Sequence, residues 1–133
     1  MIHVICGMIG SGKSTYAKQH YEHVLEYEDF GDKRLQIREA KRLHDQGELV
    51  AYITCAPTCE ESIFFANLEK LDSGAVEYFW IDTDFDQCIR NIKARGRKRD
   101  YNVVREHYKP NQVILSKLMS GGSRYKKITV FKS

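Results

Sequence analysis

The stretch CGMIGSGKST, from Cys6 to Thr15, sets Gly7, Gly12, Lys13 and Ser14 at the spacing G-x-x-x-x-G-K-[ST]. Glycines at those places let the backbone curl so that successive N–H groups converge on an anion. A helix opening directly after the loop turns its positive dipole end toward the same point. Gly7, Gly10, Ser11, Gly12, Lys13, Ser14 and Thr15 then form a phosphate cradle, in which Lys13 reaches the outer phosphates of a nucleoside triphosphate and the Ser14 hydroxyl is the protein's ligand to Mg²⁺. With glycine near 7% of average usage, four such fixed positions match by chance in a chain this long on the order of once in a few hundred sequences. The bound molecules expected are therefore ATP and Mg²⁺. The loop alone leaves open what becomes of the γ-phosphate, because kinases, motor ATPases and GTPases share it.

Transfer to an acceptor needs a carboxylate beside the acceptor group and cations to neutralise the charge that moves. The predicted second strand ends in LEYEDFGDKR, which places Glu28, Asp29 and Asp32 where the sheet's carboxyl edge opens toward the loop. Asp29 is the first choice to activate an acceptor and Glu28 the second, while Asp32, directly before KRLQIREAKRL, is better placed to cap a helix. The cations are concentrated: residues 90–109 hold eight lysines and arginines against Asp100 and Glu106, so this stretch carries +6 and the remainder −3 of a net +3. Arg95, Arg97 and Arg99 in ARGRKRDY follow a predicted helix stop at Gly96 or flank it, and their planar, permanently charged guanidinium groups suit phosphate oxygens. A short basic lid is expected at about 95–101. Tyr101 and Tyr108 interleave with it and read as helix-face packing rather than as stacking platforms.

These residues must be held by alternating elements. Short apolar runs at Ile2 to Cys6, His23 to Tyr27, Leu49 to Thr54, Val76 to Ile81 and Lys127 to Phe131 read as strands. Helical spacing marks about Lys13 to Tyr21, Lys33 to Gln46, Glu60 to Leu71, Phe85 to Ala94 and Asn102 to Met119. Asp84 with Gln87 three residues on opens the fourth of these helices, and LMSGGS reads as a loop. Strict alternation argues an α/β domain with a parallel sheet covered by helices on both faces. At 133 residues the chain has the size of one domain, spanning 1–133. With 42% hydrophobic and 29% charged residues and two prolines, the composition excludes collagenous and disordered classes, and no apolar run is long enough to span a membrane. MIHVIC has no basic flank or cleavage site, which reads as a first strand and makes the cytoplasm the expected compartment. Cys6, Cys55 and Cys88 lie in or beside apolar runs, where reduced cysteine behaves as a small hydrophobe, and Cys55 with Cys59 has no second pair at zinc-ligand spacing. His3 and Trp80 read as packed or strand-edge residues.

The P-loop, the EDF strand end, and above all VEYFWIDTDFDQCIRNIKARGRKRDYNVVREHYK together resemble the nucleotide-kinase-like branch of the P-loop kinases, and within it the kinase domain of phage-type polynucleotide 5'-hydroxyl kinases. The resemblance runs from Ile2 to about Lys109. It implies a P-loop NTPase three-layer sandwich whose five parallel strands lie in the order 2-3-1-4-5. It also implies that Lys13 and Ser14 bind phosphate, that Asp29 is the general base, and that Arg95 contacts the transferred phosphate. Two positions depart from that pattern. Cys55 stands where those kinases carry an acidic residue after the third strand, with Glu60 and Glu61 arriving later, and only Lys33 and Arg34 lie near the place of the arginine that follows their catalytic carboxylate. The reading is a kinase acting on a nucleotide or on a nucleic-acid 5'-hydroxyl. The alternatives are a kinase of a small metabolite, nucleoside or nucleotide, and a nucleotide-gated ATPase module that grips nucleic acid. A further rival takes VEYFWID as a Walker B strand ending in Asp82; against it stands the order of elements, since this strand comes fourth and leads straight into the basic helix and lid, whereas a Walker B carboxylate is expected on the strand beside the P-loop strand.

Overall fold

A computed structural model of the chain describes residues 1–8, 10–55, 57–95 and 125–128. Five strands form one sheet: β1 (Ile2–Cys6), β2 (His23–Leu25), β3 (Val50–Thr54), β4 (Val76–Ile81) and β5 (Tyr125–Ile128). Their order is β2-β3-β1-β4-β5, and every neighbouring pair is parallel. The helices between them are α1 (Lys13–His20), α2 (Tyr27–Phe30), α3 (Lys33–Asp45), α4 (Cys59–Leu71) and α5 (Phe85–Arg95). The expected helix at 102–119, the LMSGGS loop, and Arg97, Arg99, Tyr101 and Tyr108 of the lid lie outside the described residues.

The pleat divides the core between two faces. Ile2, Val4 and Cys6 of β1, Val50 and Tyr52 of β3, and Val76, Tyr78 and Trp80 of β4 share one face with Ala40 and Leu43 of α3 and Phe65 and Leu68 of α4. Ile5, Ala51, Ile53 and Ile81 point to the other and meet Ala17 of α1. All five residues of β3 are buried, as expected of a strand covered on both sides. Helices α3 and α4 bury residues at the same helical interval, Gln36, Ala40 and Leu43 in one and Glu61, Phe65 and Leu68 in the other. Two of those six are polar, and both sit at the end of their helix nearer the strands' carboxyl ends. The register places Cys6, Thr54 and Trp80 level with one another. The loop after β1 therefore emerges between the ends of β3 and β4, at the crevice where parallel α/β sheets bind ligands.

Two expectations change. β2 stops at Leu25, and Tyr27–Phe30 forms a single helical turn closed by Gly31 at φ 70, so EDF belongs to a helix and not to a strand end. β4 does lie beside β1, so adjacency does not exclude a Walker B role for Asp82. The carboxylate has another partner: Lys127 Nζ of β5 stands 3.2 Å from Asp82 Oδ2.

Candidate functional site

The loop from Gly7 to Gly12 is built from backbone contacts. Gly7 N–H donates to the Cys55 carbonyl at 3.2 Å, and Ser11 N–H donates to the Met8 carbonyl at 3.0 Å. A Cβ on Gly7 would stand 2.6 Å from Ser11 Oγ and 3.2 Å from the Ile81 carbonyl oxygen, so a larger residue there requires its neighbours to shift. Gly10 adopts φ 82, and its Cβ would meet the Cys88 carbonyl at 2.7 Å, so the apex of the loop packs directly on the backbone of α5.

Gly12, at φ 94, precedes α1 as its N-cap and supplies no side-chain cap, and the first turn of α1 has no acidic residue. The leading N–H groups of α1 are thus left for another acceptor, and nothing on that turn repels an anion. Gly10, Gly12, Lys13, Ser14 and Thr15 line an open depression of about 240 Å³ together with Asn91 and Ala94 of α5. Lys13 folds back so that Nζ donates to the Met8 carbonyl at 3.2 Å. This donor set, of uncapped N–H groups, one ammonium and the half-buried Ser14, fits a triphosphate. Ser14 and Thr15 bring hydroxyl oxygens to the lining, ligands of the kind that Mg²⁺ takes, and the described residues contain no group of three His, Cys, Asp or Glu side chains able to hold a metal.

The carboxylates expected to serve an acceptor separate into distinct roles. Asp32 is the N-cap of α3, its Oδ1 accepting from Arg34 N–H at 2.8 Å. Asp29 and Glu28 stand exposed on α2, at the carboxyl end of β2. β3 separates β2 from β1, which places α2 about 10 Å to the side of the P-loop strand. Asp84 caps α5 as expected, accepting from Gln87 N–H at 2.8 Å. Arg95 is the last residue of α5, four beyond Asn91 and next to Ala94, while Arg97 lies outside the described residues.

A second polar group was not anticipated. Glu61, without exposed surface, receives Lys33 Nζ at 3.3 Å from Oε2. Its Oε1 accepts from Thr58 N–H at 2.9 Å and from the Thr54 hydroxyl at 3.4 Å, and Lys33 Nζ also donates to Thr54 Oγ1 at 3.2 Å. The carboxylate thus returns to the end of β3, the place where the sequence shows Cys55, but through the first turn of α4. Burial and the neighbouring Glu61 carboxylate together keep the Tyr52 phenol protonated well beyond the usual tyrosine range. The T-x-x-E spacing of Thr58 and Glu61 is the signal that locates this carboxylate at the start of α4, as a capping box whose Thr58 Oγ1 accepts from Glu61 N–H at 3.1 Å, but it gives no sign of Lys33.

Cys6 and Cys88 are buried as expected, Cys55 is half-buried and Cys59 exposed. Trp80 is buried in the core.

No family model matches the chain, and no curated protein matches it. Among solved structures, a candidate kinase from Chloroflexus aurantiacus j-10-fl superposes with a TM-score of 0.58 at 12% identity, over 77% of this chain and 73% of that one. A gluconokinase from Sinorhizobium meliloti 1021 superposes at 0.50 with 15% identity, over 98% of this chain and 83% of that one. The likeness is one of fold. This chain shares the α/β P-loop sandwich of these kinases, with the strand order 2-3-1-4-5. Among the described residues no helix is long and apolar enough to cross a membrane.

Proposed function

We propose that the chain is an ATP- and Mg²⁺-dependent kinase that passes the γ-phosphate to a nucleotide or to a nucleic-acid 5'-hydroxyl. The observation that supports it most is the depression where Gly12, Lys13, Ser14 and Thr15 meet the last turn of α5. A triphosphate seated there has uncapped N–H groups and Lys13 on one side and the start of the basic segment, at Arg95, on the other. Bound through Ser14 and phosphate oxygens, Mg²⁺ would neutralise part of the triphosphate's charge. Asp29 takes the proton of the acceptor hydroxyl as its oxygen forms a bond to the γ-phosphorus and the bond to the β-phosphate oxygen breaks, leaving ADP. Arg95 and Arg97 offset the charge that accumulates on the transferred group. The sequence likeness to phage-type polynucleotide kinases and the +6 segment favour a polyanionic acceptor.

The test is transfer of label from γ-labelled ATP with Mg²⁺ to 5'-hydroxyl oligonucleotides, to nucleosides and nucleoside monophosphates, and to sugar acids, with Lys13→Ala and Asp29→Asn alongside. The expected result is label on the oligonucleotides or nucleotides, lost in Lys13→Ala and reduced at least a hundredfold in Asp29→Asn. Label on sugar acids alone would move the protein to the small-metabolite reading. ATP binding with no transfer to any set, and nucleic-acid affinity falling steeply with salt, would replace the kinase by a nucleotide-gated binding module.

A further inference from the structure

Two side chains of the β4–α5 unit grip successive carbonyls of the phosphate loop. Thr83, buried just after β4, donates its hydroxyl to the Ser11 carbonyl at 2.7 Å. Asn91 of α5 donates Nδ2 to the Gly10 carbonyl at 2.6 Å. The Asn91 amide is itself oriented, because Oδ1 accepts from Gln87 Nε2 at 2.9 Å, and Gln87 Oε1 in turn accepts from Arg90 Nη2 at 2.8 Å. With Oδ1 so engaged, the end presented to Gly10 is the donor.

In a trans peptide the carbonyl and the following N–H point in opposite directions. A Ser11 carbonyl held toward Thr83 therefore turns Gly12 N–H the other way, toward the side on which Gly12, Lys13 and Ser14 line the depression. Glycine opposes few of the alternative backbone states, so a peptide between Gly10 and Gly12 that is not held can rotate and present a carbonyl, with its partial negative charge, to an arriving phosphate. Such a loop binds in proportion to the fraction of time it spends in the competent state.

We infer that Thr83 and Asn91 are positioning residues for the anion cradle: by fixing the Ser11 and Gly10 carbonyls outward they hold the loop in its phosphate-binding state, and Asn91 ties that state to α5. The inference rests on the loop being a triphosphate site, as proposed above. It assigns no contact between either side chain and the phosphate, and it makes α5 part of the binding machinery through Gly10 as well as through Arg95.

Calorimetric titration of the full chain with Mg²⁺ and inorganic tripolyphosphate, which lacks base and sugar, isolates the cradle. Thr83→Val keeps the shape and removes the donor, and is expected to weaken tripolyphosphate binding about five- to thirtyfold, the range that follows from losing one buried hydrogen bond. Thr83→Ser restores the hydroxyl and is expected to bind within about twofold of wild type. Asn91→Leu removes the donor to the Gly10 carbonyl at similar size without adding charge to the depression, and is expected to weaken binding over a similar range. Because Asn91 is only half-buried, that variant carries the test should Thr83→Val fail to fold. Thermal unfolding of each free variant separates a mere loss of stability: a lowered midpoint with wild-type affinity in both Thr83→Val and Asn91→Leu overturns the inference. A wild-type chain that binds neither tripolyphosphate nor ATP overturns the triphosphate reading of the loop itself, and the inference with it.

Discussion

At Glu61 a carboxylate with no exposed surface depends on one ammonium for its countercharge, whereas Lys33 keeps 27% of its side chain in water and can turn outward. Removing one partner of a buried pair costs mainly what it takes to leave the other charge unpaired. Lys33→Met therefore costs the full penalty of an isolated buried carboxylate, about 3–5 kcal/mol. Glu61→Gln keeps an oxygen for Thr58 N–H and frees a lysine that can rehydrate, at a cost of about 1–2 kcal/mol. The expected order in urea unfolding is that Lys33→Met is the least stable, Glu61→Gln intermediate, and the double variant more stable than Lys33→Met alone. Equal losses in the two single variants would mean that Glu61 does not rely on Lys33. Nothing in the sequence marks this pair as a unit, because 28 positions separate its members and only the fold of α3 against α4 brings them together. The curl of the loop before α1 is legible for the opposite reason. Its residues are consecutive, and their chemistry depends on backbone conformation that glycine positions announce.

Element boundaries were readable where several signals coincide, as at Asp84 with the apolar spacing of α5. They were not where a segment is a single turn. Tyr27–Phe30 has too few residues to repeat an apolar face, and half-buried Phe30 packs beside the core in the same pattern that a strand continuation would show. The position of α2 also separates Asp29 from Asp32 among the carboxylates that follow β2. Asp32 is spent on α3, whose first turn holds Lys33 and Arg34 and no acid, an arrangement unfavourable to the helix dipole and so more dependent on its cap. Asp32→Ala is expected to lower stability by about 1–2 kcal/mol while the folded protein retains phosphate transfer. Asp29→Asn, on an exposed turn without a capping bond of its own, is expected to do the reverse and leave the unfolding midpoint within about 0.5 kcal/mol of wild type. Urea denaturation paired with the labelled-ATP assay reads both. If the two effects were exchanged, α3 would carry the acceptor carboxylate and α2 would be structural.

For the molecule as a whole, the pH dependence of stability has a recognisable contributor in His3, where four elements meet. From β1 it shares a 2.6 Å hydrogen bond with the hydroxyl of Tyr21 at the end of α1 and packs its ring on Phe79 of β4. The charges facing it are Glu77 of β4, the N-terminal ammonium and Lys126 of β5. Burial holds the imidazole's proton affinity below the ordinary 6.5, aided by the ammonium groups and only partly offset by Glu77. The Tyr21 phenol is pushed up to about 12, chiefly by burial, so it remains a neutral partner throughout the accessible range. The unfolded chain thus takes up a proton at His3 at a higher pH than the folded one. The associated stability is present above about pH 6.5 and is lost as pH falls toward the folded value, at no more than about 1.4 kcal/mol per pH unit for a single proton. Comparison with His3→Gln isolates the effect, because His20, His23, His44 and His107 remain in both proteins. Between pH 7.5 and 5.5 the wild-type unfolding free energy is expected to fall more steeply than that of His3→Gln. Parallel curves would show that folding leaves His3 as easily protonated as the open chain, and an inverted difference would show that Glu77 outweighs burial.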